Sequence, residues 1–417
     1  MASQPLKSEI PMSLSRTLLT HGADKALSPL LTFIFALACG LVAANLYYGQ
    51  PLAGLISTDL GFSPQATGLI VTLCQLGYCL GLILLVPLGD LVENRKLILV
   101  LLALAAIALL AAALSSTPGL FLLACFAIGL ASTAAQVLVP FAASMAPDAY
   151  RGRVVGNVMS GLLTGIMLAR PVASVIAEAS SWHVVYIVSA IAMIALLVAL
   201  RLSLPQRKPH GQISYGALLS SMLHLATTNR ILQRRALYQA GMFGAFSLFW
   251  TTTPLLLSSP HFGLSQNGIA LFALAGAAGA IASPIAGRMA DKGLTRAVSI
   301  AAMIMGMAAF LLGRTSIELS PALGLALLTL SAIILDFGVQ ANLVSGQRII
   351  YSMSPEHRSR LNGLYMATFF LGGAIGSAAG GWAYATGGWE RTSWLGLLFP
   401  TAALLLILSE KTSGQPK

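Results

Sequence analysis

The chain has 417 residues, 57% of them hydrophobic and only 9% charged, with a mean hydropathy of +0.82. A soluble domain carries about 25% charged residues, so this composition excludes one. The formal net charge of +11 raises nucleic acid as a partner, and only the placement of the charges can decide that.

A bilayer-spanning helix needs roughly 20 apolar residues, and about twelve such runs are present. They lie near 30–57, 64–89, 97–115, 119–143, 153–179, 183–203, 236–258, 266–290, 296–314, 320–346, 360–386 and 390–409. The expected fold is an all-α polytopic membrane protein, its twelve helices arranged as two pseudo-symmetric six-helix bundles at 29–203 and 236–409. A basic cytoplasmic linker, 204–235, joins them and contains an amphipathic stretch near Ser214 to Thr227. The segments 1–28 and 410–417 read as cytoplasmic tails; the first lacks the apolar core and cleavage site of a signal peptide.

The first run carries Asn45-Leu-Tyr-Tyr-Gly-Gln-Pro51. Amide side chains are costly in hydrocarbon unless they face protein or water, and Pro51 is expected to kink the helix. Asn45, Tyr48 and Gln50 are therefore candidates for a substrate cavity, with helix–helix hydrogen bonding as the alternative. Gln75 and Tyr78 in the second run and Gln136 in the fourth are lone polar residues of the same kind. The four cysteines fall inside expected helices without a metal-type spacing, and no cofactor is expected.

Between the second and third runs stands Val86-Pro-Leu-Gly-Asp-Leu-Val-Glu-Asn-Arg-Lys96, where Asp90 precedes Arg95 and Lys96. Its echo, about two hundred residues on, is Pro284-Ile-Ala-Gly-Arg-Met-Ala-Asp-Lys-Gly293, with Gly287, Asp291 and Lys292. The turns Ala-Pro147-Asp-Ala-Tyr-Arg-Gly-Arg153 and Ser-Pro355-Glu-His-Arg-Ser-Arg360 repeat at nearly the same offset. Two markers at one offset indicate internal duplication. With the N-terminus inside, every Lys and Arg except Arg170, Arg314 and Arg391 falls on the cytoplasmic side. This asymmetry orients a membrane protein, so the basic charge calls for a lipid bilayer and not for nucleic acid.

Glycines concentrate in the second, fifth, eighth and eleventh runs. Small residues let helices approach closely in lipid, so these four helices are expected to form the surface on which the halves move.

Ionisable groups inside the hydrocarbon point to function by default. Two are clear. Arg170 lies in Gly161-Leu-Leu-Thr-Gly-Ile-Met-Leu-Ala-Arg-Pro171, and Asp336 in Leu335-Asp-Phe-Gly-Val-Gln-Ala-Asn342, with Gln340 one turn on. A carboxylate in such a place can carry a proton, and an arginine there can draw an anionic group or tune a nearby acid; structural pinning by other polar groups is the alternative. Glu178 and Glu390 lie near the outer boundary, where solvation accounts for them. The seventh run holds Gln239 and an aromatic stripe, Phe243, Phe246 and Trp250, which faces either lipid or a substrate.

Twelve helices in two similar halves, a basic central loop and the turns at 86–96 and 284–293 resemble the major facilitator superfamily over 30–409. In that family the first turn reads Gly-x-x-x-Asp-Arg/Lys-x-Gly-Arg/Lys-Arg/Lys. Asp90, Arg95 and Lys96 match it, while Val86, Leu91 and Asn94 depart; the second copy matches at Gly287, Asp291 and Lys292. The resemblance implies that these turns latch the state closed to the cytoplasm. Asn-x-Tyr-Tyr-x-Gln-Pro, Pro-Leu-Gly-Asp and Gly-Ile-x-Leu-Ala-Arg are similar to the bacterial drug/proton antiporters and metabolite exporters. Many of these carry an arginine in the fourth helix where Cys125 stands here, which directs attention to Arg170 and Asp336. The implied protein is a monomeric, proton-coupled exporter of a small molecule in the bacterial inner membrane, both termini cytoplasmic. An uptake symporter and a non-transporting sensor are the competing readings. Without a metal cluster, nucleophile–base pair or phosphate loop in the sequence, an enzyme is not expected.

Overall fold

Inside hydrocarbon each backbone N–H and C=O must be bonded within its own segment, so apolar runs of this length become helices. The computed structural model of the chain describes residues 28–147, 150–206, 214–353 and 357–410, and among these every regular element is helical. The expected tails lie outside them except for Ser28 and Glu410, as do Asp148, Pro355 and Glu356 of the repeated turns.

α1 (Pro29–Ala44) starts on Ser28, whose hydroxyl accepts the Leu31 N–H at 3.2 Å, with Pro29 at a first-turn position. α2 (Gly49–Leu60) follows at an angle of 41°. One helix kinked at Pro51 was the expectation; the break instead lies before that residue, at 45–48. Pro51 offers no N–H to the carbonyl of Tyr47, and the preceding turn tightens. Leu46, Tyr47 and Gln50 donate to Ala43, Ala44 and Tyr47, each three residues back. Pro51 itself then sits in the first turn of α2, where proline is tolerated.

α3 (Leu69–Leu84) ends in a 3-10 turn, Val86–Asp90, and Glu93 caps α4 (Asn94–Ala113) by accepting the Arg95 and Lys96 N–H groups at 3.0 and 3.2 Å. The fourth expected helix is divided at Thr133 into α5 (Pro118–Ser132) and α6 (Ala134–Met145). α7 (Arg151–Ala179) and α8 (Trp182–Ser203) complete the first half. α9 (Tyr215–Thr228) occupies the expected amphipathic stretch, with Leu218 and Met222 buried and Leu223 exposed. α10 (Arg230–Leu257) begins six residues earlier than expected, capped by Asn229. α11 (Gln266–Ala273) passes through a 3-10 stretch, Leu274–Ala278, into α12 (Gly279–Asp291). α13 (Thr295–Thr315), α14 (Pro321–Met353) and α15 (Arg358–Leu408) follow.

Among the described residues, ten segments are long and apolar enough to cross a membrane, and α1 with α2 makes an eleventh. α15 has 51 residues; straight, it would run about 75 Å, more than twice a hydrocarbon core of roughly 30 Å. Its backbone leaves the helical region at Gly387 and Gly388, the latter at φ 61°, ψ −157°, a conformation essentially confined to glycine. Taken as a turn, this break divides α15 into spans at 358–386 and 389–408, and the count becomes the expected twelve.

The four glycine-rich helices do meet between the halves, α3 on α15 with Gly68 against Ser377 and Gly381, and α7 on α11, although most of the individual glycines pack within a half. α1 packs on α7 through Gly40, Gly161 and Gly165, and α10 packs on α15 through Gly244, Gly372 and Gly376, the same pairing repeated. α3 meets α5 backbone to backbone: a Cβ on Gly129 would fall on the Cys74 carbonyl. No side-chain rotation relieves such a clash, so Gly129→Val should cost about 1–3 kcal/mol or more. A lowered thermal unfolding midpoint in detergent is the expected result, with Gly119→Val, where nothing lies within 4 Å, as the control; equal midpoints would show that α3 and α5 part freely.

The halves meet at the end remote from the 86–96 turn. There Thr72 Oγ1 lies 2.7 Å from Ser377 Oγ and donates to Ala374 O at 3.2 Å, and the Gln266 N–H donates to Glu178 Oε2 at 2.8 Å. Glu178 therefore joins α7 to α11 rather than being merely solvated, and Glu390 pairs with Arg314 at 3.1 Å. Deeper in, Gln75 Nε2 donates to Ser247 Oγ at 2.9 Å across the halves. At the opposite, basic end the halves stand apart, bridged by α9: Tyr215 Oη donates to Leu84 O at 2.8 Å, and Arg360 Nη1 to Ser221 Oγ at 2.7 Å.

Candidate functional site

Separation at one end and contact at the other leave a cavity of about 950 Å³ between the halves. Its mouth lies among Val86, Tyr351 and Arg358, and its wall runs past Tyr78, Phe243 and Phe369 to Arg170 and Asp336. Beyond those two the halves are in contact, so the one arginine and one aspartate that are buried among the described residues stand at the closed end.

The two come from opposite halves, Arg170 from α7 and Asp336 from α14, and are 4% and 6% exposed. Arg170 Nε donates to Gln50 Oε1 at 2.6 Å, which fixes the plane of the guanidinium. Its carbon lies 4.4 Å from the Trp250 ring centre, 5.1 Å from Phe246 and 5.2 Å from Tyr47. Three aromatic faces supply the partial negative charge that water would otherwise offer a cation. The same Trp250 donates its indole N–H to Asp336 Oδ1 at 2.8 Å. Gly276, in the 3-10 stretch after α11, closes the group: a Cβ there would stand 2.8 Å from Asp336 Oδ2 and 3.6 Å from Arg170 Nη1. There is no room for a side chain at this position, and Gly276, Arg170 and Asp336 all line the cavity.

Of the residues singled out in the sequence, Tyr78, Gln136, Phe243 and Gln340 lie on the cavity wall with Arg170 and Asp336. Gln136 Nε2 donates to Tyr78 Oη at 3.0 Å, and Gln340 Nε2 to Ser283 Oγ at 3.0 Å. Six others are corrected to positions behind the wall. Asn45 is held by Ser189 and Met193 of α8; Tyr48 is buried in the core; Gln50 positions Arg170. Gln75 joins the halves through Ser247, Gln239 accepts from Asn342 at 2.7 Å, and Trp250 backs the charged pair. The aromatic stripe of α10 faces inward, with Phe243 stacked on Phe369 at 3.8 Å and Phe246 at 5.1 Å. Tyr47, Phe369, Phe370, Gln347 and Asn362 also line the cavity without having been singled out; the adjacent aromatics and the amides within apolar helices were the available signals.

In the turns, Asp90 is exposed and Arg95 donates to the Arg201 carbonyl of its own half. Asp291 pairs with Arg348 on α14, again within one half. A Cβ on Gly287 would meet nothing, and Lys292 is exposed. Among the described residues no hydrogen bond or ion pair from these turns crosses between the halves, although the charge of Arg360 on α15 acts on Asp90 from the other half.

The family profile of the Major Facilitator Superfamily matches residues 30–331 and 278–417. The chain belongs to the major facilitator superfamily. Among relatives of this superfamily chain, the uncharacterized transporter YgaY of Escherichia coli O157:H7 is 39% identical over 384 residues, covering 91% of this chain and 94% of its own. The probable transporter SCO4007 of Streptomyces coelicolor is 32% identical over 374 residues, covering 88% and 84%. Among solved structures, an inward-facing, occupied bacterial homolog of the human lysosomal transporter Spinster superimposes with a TM-score of 0.73 at 14% identity, covering 91% and 96%. The D-xylose-proton symporter gives 0.69 at 16%, covering 92% and 98%. At these identities the structures share the fold. As a major facilitator, the protein is a multi-pass membrane transporter.

Proposed function

We propose that this transporter exports a small organic molecule from the bacterial cytoplasm in exchange for protons, by alternating access of the two halves to the central cavity. The observation that carries the reading is a lone carboxylate, Asp336, buried beside Arg170 at the closed end of a cavity open at one end. The excess of Lys and Arg at the open end supports placing that end and both termini in the cytoplasm, with the cavity facing inward. A proton taken up at Asp336 neutralises it and weakens its attraction to Arg170, and the bonds joining the halves beyond are few enough to exchange. The apolar, aromatic wall suits a molecule with an apolar body, and one chain encloses the whole cavity, so a monomer suffices.

Inverted membrane vesicles energised by respiration and loaded with a pH-sensitive dye test this. A compound from a panel of lipophilic cations, nucleosides, sugars and amino acids should collapse the pH gradient only when the protein is present. If a compound is instead carried along with protons in the opposite sense, the protein is an uptake symporter and the export reading falls.

A further inference from the structure

The two charges at the closed end leave binding capacity unused. Arg170 Nε is engaged by Gln50 and Asp336 Oδ1 by Trp250, but Arg170 Nη2 is buried without a hydrogen-bond partner. Among the described residues no hydrogen bond occupies Arg170 Nη1 or Asp336 Oδ2, and both residues line the cavity beside Gly276. A buried donor of a charged group without a partner costs stability, and such a group in a site points to what completes it. The closed end of the cavity therefore offers donors of positive charge on the α7 side and an acceptor of negative charge on the α14 side.

A ligand bearing only a cation would bring it up against Arg170, and one bearing only an anion would bring it up against Asp336. A head that carries both signs a few bonds apart satisfies each and repels neither. We propose that the substrate class is an organic zwitterion with an apolar or aromatic body. Its carboxylate accepts from Arg170 Nη1 and Nη2, its ammonium donates to Asp336 Oδ2, and its body lies along Phe243, Phe246 and Phe369. Amino acids with large apolar side chains have this form. The inference rests on the cavity being the transport site. Gly276 is its specificity-determining residue, because a methyl group there would stand 2.8 Å from Asp336 Oδ2 and crowd the oxygen that the ammonium meets.

The test uses the purified full chain in lipid nanodiscs and isothermal titration with three compounds that share one ring: L-phenylalanine, phenethylamine and 3-phenylpropionate. L-phenylalanine should bind about tenfold or more tightly than either of the others, since each lacks a charge-assisted hydrogen-bonding group. Gly276→Ala should weaken L-phenylalanine binding by a similar factor. If phenethylamine or 3-phenylpropionate binds as well as L-phenylalanine, or if L-phenylalanine does not bind, the zwitterion assignment is overturned. This comparison on the unaltered chain decides even if Gly276→Ala fails to fold. The vesicle assay with the same compounds separates the two proposals. Proton exchange with a singly charged compound and not with L-phenylalanine removes the zwitterion and leaves export standing. Preferential L-phenylalanine binding without proton exchange keeps the zwitterion and removes proton-coupled export.

Discussion

Vesicles carrying Asp336→Asn are expected to show no substrate-driven collapse of the pH gradient, the signal falling to that of vesicles without the protein. Asparagine matches aspartate in shape, and its amide oxygen can still accept the Trp250 N–H that Asp336 Oδ1 accepts at 2.8 Å. What it cannot do is take up and release a proton. It also leaves the buried Arg170 without the nearby negative charge of Asp336, and a buried charge without compensation is destabilising, so a lowered unfolding midpoint should accompany the loss. Exchange of labelled for unlabelled substrate, which needs no proton, separates the effects: exchange that persists while proton movement is lost assigns coupling to Asp336. Proton-coupled transport at the unaltered rate would place the coupling elsewhere.

Arg170→Lys is expected to be nearly as damaging to substrate binding, although the charge is kept. The guanidinium works as a plane: its edge donates to Gln50 at 2.6 Å while its face lies 4.4 Å from the Trp250 ring centre. An ammonium is a point charge and cannot present an edge and a face together. A buried cation–π contact contributes about 2 kcal/mol and a charge-assisted hydrogen bond about 1.5–3 kcal/mol, so a loss of affinity of at least about tenfold should follow. Arg170→Ala goes further, leaving Asp336 buried without its countercharge, and should lower the unfolding midpoint more than lysine does. If Arg170→Lys transported normally, the arginine would be serving only as a positive charge.

The helices were readable because a backbone in hydrocarbon has little choice, and even the turn between the last two spans was marked by Gly387-Gly388. Arg170 and Asp336 were readable for the same reason, since a charge among apolar residues needs an account. The amides were not. Asn45, Gln50, Gln75 and Gln239 announce only that they avoid lipid; whether each meets a cavity or a neighbouring helix depends on the rotation of its helix and on what packs there, which is a property of the assembled bundle. Gln50 shows the difference, since its neighbours in the chain give no hint of an arginine 120 residues away. The break at 45–48 was displaced from Pro51 because a proline disturbs the turn before itself. Gly276 carried no chemical signal at all, since what matters there is that any side chain would crowd Asp336.

α9 has a mechanical consequence. One hydrogen bond ties it to the end of α3 through Tyr215 and another to the start of α15 through Arg360, so it works as a tether of fixed length across the mouth. In the proposed cycle, a wider opening of the mouth would have to stretch or break one of these two bonds, so the surface helix would set a limit on it.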